Sequence, residues 1–190
     1  MPTDFRNVRF VRSASEKKAF LTDHPVITFL GRSNVGKSTL VNLLVCQKNF
    51  MKASKTPGRT QLINYALVDQ KFYLADVPGY GFASFQRDSF AGLMKDFLED
   101  NPSLKMIYLL IDSRRLLTEE DLSFADYLSS LSAPFCYIFT KTDKLSASDR
   151  HYLTVQEQKL GAIPFLESGI DDNKSIDRIR HSINEVISRH

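Results

Sequence analysis

The chain has 190 residues, of which 43% are hydrophobic and 25% are charged, and its formal net charge is +3. This composition is typical of one folded domain with a sizeable core, and it excludes a disordered chain and a membrane-spanning one. The N-terminal residues lack the apolar region of a secretory signal, and Cys46 and Cys136 both lie among apolar neighbours, so we expect core thiols and a cytoplasmic location.

The first predicted element is a short strand over Asn7–Arg12, in which apolar residues alternate with basic ones. We assign residues 1–22 to an N-terminal extension that packs on the main domain, residues 23–190.

The extension is basic, and residues 24–68 contain six Lys or Arg and no acid. Such an electropositive N-terminal half would favour the binding of a polyanion. The phosphates of a nucleotide would account for much of the charge, and RNA is the bolder alternative.

A phosphate-binding P-loop follows the apolar strand predicted at Val26–Leu30 and precedes a helix predicted at Lys37–Gln47. Its pattern G-x-x-x-x-G-K-S is formed by Gly31, Arg32, Ser33, Asn34, Val35, Gly36, Lys37 and Ser38. The glycines let several backbone N–H groups point at phosphate oxygens, and the helix N-terminus adds positive charge. Lys37 offers a point charge to the β- and γ-phosphates, and Ser38 offers a hydroxyl to Mg²⁺. The chain is therefore predicted to bind a nucleoside triphosphate.

Strands and helices alternate along the rest of the chain. Further strands are predicted at Leu62–Val68, Phe72–Ala75, Met106–Ile111, Phe135–Phe139 and Ala162–Leu166, and helices at Phe85–Glu99, from Thr118, at Ser146–Leu160 and at Ser175–Ile187. Residues 50–59, rich in turn-forming residues and cations, are predicted to form a mobile loop. The alternation predicts an α/β fold with a mostly parallel, six-stranded sheet that has helices on both faces. Ligands of such sheets bind at the carboxyl ends of the strands, where the P-loop lies.

A second motif, Asp76-Val77-Pro78-Gly79, leaves the predicted strand Phe72–Ala75. An aspartate that ends a strand beside a P-loop can hold Mg²⁺ through water, and the glycine N–H can meet the γ-phosphate. Taken alone, the same residues favour an ordinary turn at the end of a strand. In combination with the P-loop they favour a metal site.

A third motif, Thr140-Lys141-Thr142-Asp143, leaves the predicted strand Phe135–Phe139 at the same edge of the sheet. A fixed carboxylate can accept hydrogen bonds from N1–H and the exocyclic amine of guanine, whereas adenine would leave that charge unpaired. Lys141 can lie across the plane of the base. The four residues could also form a solvated loop, but their place after a buried strand, behind the other two motifs, favours guanine recognition.

With these motifs the chain resembles the EngB family, also called YihA or YsxC, of bacterial GTPases related to Era and TrmE. Besides the P-loop and Thr140–Asp143, the most specific marks are Pro57-Gly58-Arg59-Thr60-Gln61 followed by Ile63-Asn64, and Asp76-Val77-Pro78-Gly79-Tyr80-Gly81. The resemblance implies one Ras-like domain, Mg²⁺-dependent GTP hydrolysis, and a role in large ribosomal subunit assembly and in normal cell division and septation. The implied partners are GTP, GDP and a large-subunit precursor or its rRNA, and no DNA partner is predicted.

The resemblance also implies roles for single positions. Ser38 and Thr60 correspond to side-chain ligands of Mg²⁺, and Asp76 to a ligand that acts through water. The first switch segment corresponds to Gly58, Arg59, Thr60, Gln61 and Leu62. Thr56 competes with Thr60 for this role on physical grounds, and the family motif selects Thr60. The loop that contacts the guanine O6 is usually Ser-Ser or Ser-Ala, and here its place is taken by Glu167, Ser168 and Gly169.

Position 80 bears on the rate of hydrolysis. GTPases of the Ras type place a water-orienting glutamine directly after the D-x-x-G glycine, and here that residue is Tyr80. We therefore assign catalysis to Lys37, Thr60 and Mg²⁺, and expect slow intrinsic turnover, on the order of 10⁻⁴–10⁻³ per second or below. Asn34 either stabilises its own loop or holds a K⁺ ion between the phosphates, because a site with neither a charged finger nor a water-orienting amide still needs positive charge there.

A P-loop metabolic kinase or ATPase is the alternative class of protein. A kinase needs a lid and a pocket for its acceptor substrate, and the sequence has no separate insertion long enough for them. The segment Thr140–Asp143 distinguishes the two classes, because it predicts selectivity for guanine.

Overall fold

A computed structural model of the chain describes residues 2–48, 50, 62–77, 89–115, 117–170 and 172–190. The loop predicted at residues 50–59 lies outside these residues except for Phe50, and so does the predicted start of the helix at Phe85. Among the helices described, none combines the length and the hydrophobicity that a bilayer span requires.

Strands and helices alternate through most of the described part of the chain, except that β3 is followed directly by β4. The strands are β1 (Val8–Ala14), β2 (Val26–Gly31), β3 (Ile63–Val68), β4 (Phe72–Asp76), β5 (Leu104–Asp112), β6 (Phe135–Thr140) and β7 (Phe165–Ser168). The helices are α1 (Lys37–Leu44), α2 (Ser89–Asp100), α3 (Glu119–Ser129), α4 (Ala147–Lys159) and α5 (Asn173–Ile187). Short 3₁₀ turns cover Lys17–Ala19 and Thr142–Lys144.

The strands form one sheet in the order β1-β3-β4-β2-β5-β6-β7. The pairs β1–β3 and β3–β4 are antiparallel and the other pairs are parallel, which confirms the mostly parallel sheet. The sheet has seven strands in the described residues rather than the predicted six, because the strand predicted in the N-terminal extension joins it. The additional strand is β1, which pairs with β3 from Val8 opposite Val68 to Ala14 opposite Ile63 and becomes one edge of the main sheet.

Helices cover both faces of the sheet, as predicted. On one face α1 and α5 bury apolar residues at helical spacing, among them Leu40, Leu44 and Ile179. On the other face α2, α3 and α4 contribute to a second cluster that includes Phe97 and Phe124. Strands β2 and β6 are buried along their whole length, because they have helices on both sides. The sheet can therefore hold the loops at its carboxyl edge in fixed relative positions.

The first helix is shorter than predicted, and this changes the environment of one cysteine. α1 ends at Leu44 instead of Gln47, and Cys46 leaves the helix with a left-handed φ of 55°. The thiol of Cys46 is therefore exposed rather than in the core, and its sulfur lies 3.1 Å from Arg180 Nη2. Cys136 is buried in β6, as expected, and both thiols are free.

Strand β7 was predicted at Ala162–Leu166 and lies at Phe165–Ser168 instead. Pro164 has no N–H to donate, so the parallel ladder with β6 begins after it, with Tyr137 opposite Phe165. The ladder continues to Thr140 opposite Ser168. Two of the three residues predicted in the guanine O6 loop thus form the end of an edge strand, beside the start of the Thr140 motif.

Arg180 of α5 contacts the C-terminal end of α1, the helix that begins at the P-loop. Its guanidinium donates hydrogen bonds to the carbonyl of Leu44, at 2.8 and 3.1 Å, and to that of Leu43 at 3.0 Å. It also lies 5.6 Å from the centre of the Phe5 ring. The last carbonyls of a helix lack partners within it, so this arginine caps α1 and joins it to α5 and to the N-terminal segment.

Candidate nucleotide-binding site

The P-loop connects β2 to α1 in the conformation that its glycines predict. A Cβ on Gly31 would lie 2.7 Å from Cγ1 of Val35, so only glycine lets the loop close over this side chain. Gly36 has a φ of 107°, which L-residues avoid, and Asn34 has a φ of 66°, which asparagine tolerates better than most residues. The loop therefore turns back on itself and enters α1 at Lys37.

The surface of the loop is polar and open. Arg32, Ser33 and Asn34 are exposed, and Arg32 Nη1 lies 3.7 Å from Glu120 Oε2 at the start of α3. The first N–H groups of α1 have no acceptor within the helix, and they carry the positive end of its dipole. Such a loop and helix N-terminus can bind an anion such as phosphate.

Lys37 and Asp76 meet beneath the P-loop. β2 and β4 are adjacent parallel strands with Phe29 opposite Asp76, so both strands deliver their motifs to the same edge. Lys37 Nζ donates hydrogen bonds to Asp76 Oδ1 and to the carbonyl of Val77. The side chains of Lys37 and Asp76 are only 10% and 11% exposed. The structure thus brings together the cation of the first motif and the carboxylate of the second.

The oxygen donors near this pair fit Mg²⁺. That ion takes few protein ligands, prefers hard oxygens and completes its shell with water and substrate phosphates. Ser38, in the first turn of α1, supplies a hydroxyl, and Asp76 supplies a carboxylate whose position is held by Lys37. Thr60, the third predicted ligand, lies outside the described residues.

The third motif is bonded directly to the P-loop. The buried hydroxyl of Thr140 donates to the carbonyl of Val35 at 2.6 Å and lies 3.2 Å from the carbonyl of Ile111. Lys141, which has a left-handed φ of 63°, donates from Nζ to the carbonyl of Asn34 at 2.7 Å. These two bonds fix the distance between the loop suited to phosphate and the loop suited to the base. A threonine at position 140 therefore has a defined structural purpose.

Asp112, the last residue of β5, belongs to this arrangement and was missed by the sequence analysis. Its Oδ2 accepts from Lys141 Nζ and from Arg114 Nη2, both at 2.8 Å, and its Oδ1 accepts from Arg114 Nε at 2.9 Å. Burial by itself would raise the pKa of Asp112, but hydrogen bonds from Arg114 and Lys141 outweigh it and hold this pKa well below its usual range. The available signal was an aspartate that ends a strand at the same sheet edge and precedes an arginine by two residues.

Asp143 lies on the 3₁₀ turn after Lys141, beside the loop that follows β7. Its Oδ1 accepts a hydrogen bond from the N–H of Ile170 at 3.2 Å. A Cβ on Gly169 would lie 3.2 Å from the Cβ of Asp143, so this loop passes close to the carboxylate. Ser168 is buried, and Glu167 is half-buried with its Oε2 3.7 Å from Arg150 Nη1. The predicted loop therefore lies next to Asp143, with Gly169 as its nearest member.

Several predicted site residues fall outside the described part of the chain. They are Thr56, Gly58, Arg59, Thr60, Gln61, Pro78, Gly79 and Tyr80. Of the neighbouring residues that are described, Leu62 is half-buried just before β3, Val77 is fully buried after β4 and Thr142 is buried. The roles given to the undescribed residues stay predictions.

Comparison with known sequences identifies relatives along most of the chain. The family described as 50S ribosome-binding GTPase matches residues 26–141. The probable GTP-binding protein EngB of Geobacter sp. (strain M21) is 42% identical over 149 residues, which cover 76% of this chain and 70% of that relative. The protein of the same name from Solibacter usitatus (strain Ellin6076) is 41% identical over 162 residues, which cover 82% and 85%.

Solved structures share the fold. A crystal structure of a probable GTP-binding protein EngB has a TM-score of 0.67 and 25% identity, with 87% of this chain and 100% of that one covered. The G domain of the T. maritima FeoB iron transporter has a TM-score of 0.60 and 20% identity, with 86% of this chain and 98% of that one covered. The three motifs at the carboxyl edge of the sheet, the family match over residues 26–141 and the relatives at 41–42% identity show that the chain belongs to the EngB family of GTP-binding proteins.

Proposed function

We propose that this protein is a Mg²⁺-dependent GTPase with low intrinsic activity, acting in the cytoplasm as a switch in assembly of the large ribosomal subunit. The observation that supports this best is the direct bonding of the Thr140–Asp143 motif to the P-loop. A guanine held at Asp143 would then extend its phosphates toward a loop placed at a fixed distance. Residues 23–190 would form the GTPase domain, and residues 1–22 would add an edge strand to its sheet.

Different residues of the site would bind the phosphates and the base. Backbone N–H groups of the P-loop and the Lys37 ammonium would bind the β- and γ-phosphates, with Lys37 exchanging its contact to Asp76 for one to phosphate. Mg²⁺, held by Ser38 and Thr60 and through water by Asp76, would neutralise charge on the same phosphates. Asp143 would accept from guanine, and Lys141 would support the base from its fixed position.

Slow turnover follows from the residues that orient water. Tyr80 stands where Ras-type enzymes have glutamine, so Lys37 and Thr60 would position the γ-phosphate without a side-chain amide for the attacking water. GTP would order the first switch segment through Thr60, and hydrolysis would release it. The long-lived GTP state is what an assembly switch requires. Effects on cell division and septation would follow from defective subunit assembly.

The ribosomal role rests on the family description and on the electropositive N-terminal half of the chain. It is tested by capture of ribosomal particles on the immobilised protein, loaded with GDP or with a non-hydrolysable GTP analogue. We expect large-subunit particles or their precursors to be retained in the GTP-analogue state and to be released in the GDP state. Equal retention in both states, or no retention in either, would contradict a switch of this kind.

The geometry of Asn34 supports a role for K⁺ in the same site. The side chain of Asn34 is exposed and forms no hydrogen bond with any other described residue, while its backbone carbonyl is already used by Lys141. The amide oxygen is therefore available to a ligand. We propose that it contributes to a K⁺ site between the β- and γ-phosphates, where a monovalent cation would stabilise the charge that develops on the phosphates during hydrolysis.

We expect GTP turnover to be at least about three-fold faster in KCl than in NaCl at equal ionic strength, with the size of the effect set by one added cation near the phosphates. Asn34→Ala should abolish the difference. Because φ of Asn34 is 66°, alanine also strains the loop, so Asn34→Gly is the matched variant that keeps the left-handed backbone and removes only the side chain. Full K⁺ stimulation in Asn34→Gly would contradict the assignment and leave Asn34 with a conformational role.

A further inference from the structure

The outer edge of the sheet carries an exposed aromatic side chain between two exposed arginines. β1 ends the strand order, and its outer side pairs with none of the described strands. Phe10 is 56% exposed, more than any other large hydrophobic residue described. Arg9 and Arg12 are also exposed, and neither forms an ion pair with a described residue, whereas nearby Arg6 pairs with Asp4.

The register of β1 places these side chains on both sides of the edge. Arg9 lies opposite Leu67 of β3, whose side chain belongs to the core under α2, α3 and α4. Arg12 lies opposite Tyr65 of β3, which belongs to the same core. Phe10 lies opposite Ala66, which belongs to the core under α1 and α5. A ligand that runs along β1 would therefore meet guanidinium groups on one side and an aromatic ring on the other.

The edge is poorly suited to the addition of another strand. The pairing of β1 with β3 is irregular between Phe10 and Arg12, as in a β-bulge, and charged side chains flank this point. Bulges and charges are the features with which proteins protect their sheet edges from further pairing. A second copy of the chain or an extended peptide is therefore disfavoured as the occupant.

The same features suit a single-stranded nucleic acid. Neither β1 nor β3 contains an acidic residue, so the two exposed arginines give this edge of the sheet positive charge that would attract a polyanion. Proteins bind single strands by stacking unpaired bases on exposed aromatic rings and by contacting phosphates with basic side chains. An isolated exposed ring would gain little from a duplex, whose bases are already stacked.

We propose that Arg9, Phe10 and Arg12, which we call the β1 edge, bind single-stranded RNA. One base stacks on Phe10, and neighbouring phosphates contact Arg9 and Arg12. The inference rests on the proposed function only for the choice of RNA over single-stranded DNA. The β1 edge lies at the opposite end of the strand order from the loops after β6 and β7, so the RNA contact is separate from the contact with the guanine base.

The test measures binding of the full-length, GDP-loaded protein to a fluorescein-labelled uridine 12-mer by fluorescence anisotropy at several salt concentrations. Phe10→Ala should weaken binding about 5- to 100-fold, the effect expected for one stacked base. Phe10→Leu keeps an apolar side chain but should be weakened as well, whereas Phe10→Trp should bind at least as tightly as the wild type. Arg9→Gln combined with Arg12→Gln should lower the slope of log K against log salt by about 1.4, the value for two phosphate contacts with a single strand.

The other edge of the sheet provides matched controls. Phe165 of β7 is 40% exposed, and Lys174 and Arg178 of α5 are exposed close to it. Phe165→Ala, and Lys174→Gln combined with Arg178→Gln, should change RNA affinity less than two-fold. If these variants weaken binding as much as the β1 variants, the binding is non-specific and the proposal is wrong.

Two further results would overturn the proposal. Wild-type affinity in Phe10→Leu would show that no base stacks on the ring. Concentration-dependent dimers that dissociate in Phe10→Ala, without any RNA binding, would assign the edge to a second copy of the chain. GDP affinity is measured in the same samples, because intact GDP binding without RNA binding contradicts only this inference, and absent GDP binding contradicts only the proposed GTPase.

Discussion

Asp143→Asn should lower the affinity for GDP by about 2–5 kcal/mol, roughly 30-fold to several thousand-fold, because it removes a charged acceptor from two hydrogen bonds with guanine. The structure indicates that this substitution changes the contact with the base without disturbing the neighbouring loop. Asparagine keeps an oxygen for the N–H of Ile170, which now lies 3.2 Å from Asp143 Oδ1, and it keeps the contact with Gly169. The loop should therefore hold its shape, so that the loss reports on the base alone.

The affinities of the variant for GDP and for xanthosine diphosphate (XDP) are measured by calorimetric titration. Xanthine carries a carbonyl in place of the guanine amine, so Asp143→Asn should raise the ratio of XDP affinity to GDP affinity above its wild-type value. Asp126→Asn, at an exposed position of α3, is the control and should leave both affinities within two-fold. Unchanged GDP affinity in Asp143→Asn would remove this residue from the base site.

Asp112→Ala should lower the free energy of unfolding by about 2–4 kcal/mol, and it should weaken GDP binding as well. The Asp112 side chain is only 9% exposed, and its loss leaves Lys141 and Arg114 without their shared partner. Of its bonds to described residues, Lys141 Nζ would then keep the one to the carbonyl of Asn34, so its position beside the base would be less well fixed. Arg114→Gln should lower the free energy of unfolding by less than about 1 kcal/mol, since the Arg114 side chain is 43% exposed and the Lys141–Asp112 ion pair remains.

The pH dependence of this effect has a defined sign. The folded pKa of Asp112 lies well below its ordinary value of 3.8, so its stabilising contribution is complete above that value and is lost as the pH falls through the folded pKa. Urea unfolding should therefore give the same difference between wild type and Asp112→Ala from pH 5 to 8 and a smaller one below pH 3.8. A difference no larger than that of Asp126→Ala at pH 7 would contradict the structural role of Asp112.

The motifs that depend on local backbone chemistry were predictable from sequence. Gly31 and Gly36 are required by the close approach of Val35 and by a left-handed φ, and both demands lie within the P-loop itself. The alternation of buried strands with helices likewise predicted a mostly parallel sheet with its motifs at one edge. That edge is where the structure brings Lys37 to Asp76 and Lys141 to the carbonyl of Asn34.

The features that the sequence analysis missed depend on contacts between distant segments. Asp112 acquires its role only because Lys141, from the next strand, reaches its carboxylate. The membership of β1 in the sheet depends on pairing with β3, whose paired residues lie 49 to 60 positions further along the chain, which no local pattern reveals. The start of β7 is set by the ladder with β6 after Pro164, although the proline could have indicated it.

The central claim, that the site selects guanine, is tested most directly by competition for a fluorescent GDP analogue bound to the wild-type protein in the presence of Mg²⁺. We predict that GDP displaces the analogue at near-stoichiometric concentrations, while ADP fails to displace it at about a 1,000-fold excess, because adenine leaves the Asp143 carboxylate unpaired. Displacement by ADP and GDP at similar concentrations would contradict the account and would favour a P-loop ATPase or kinase.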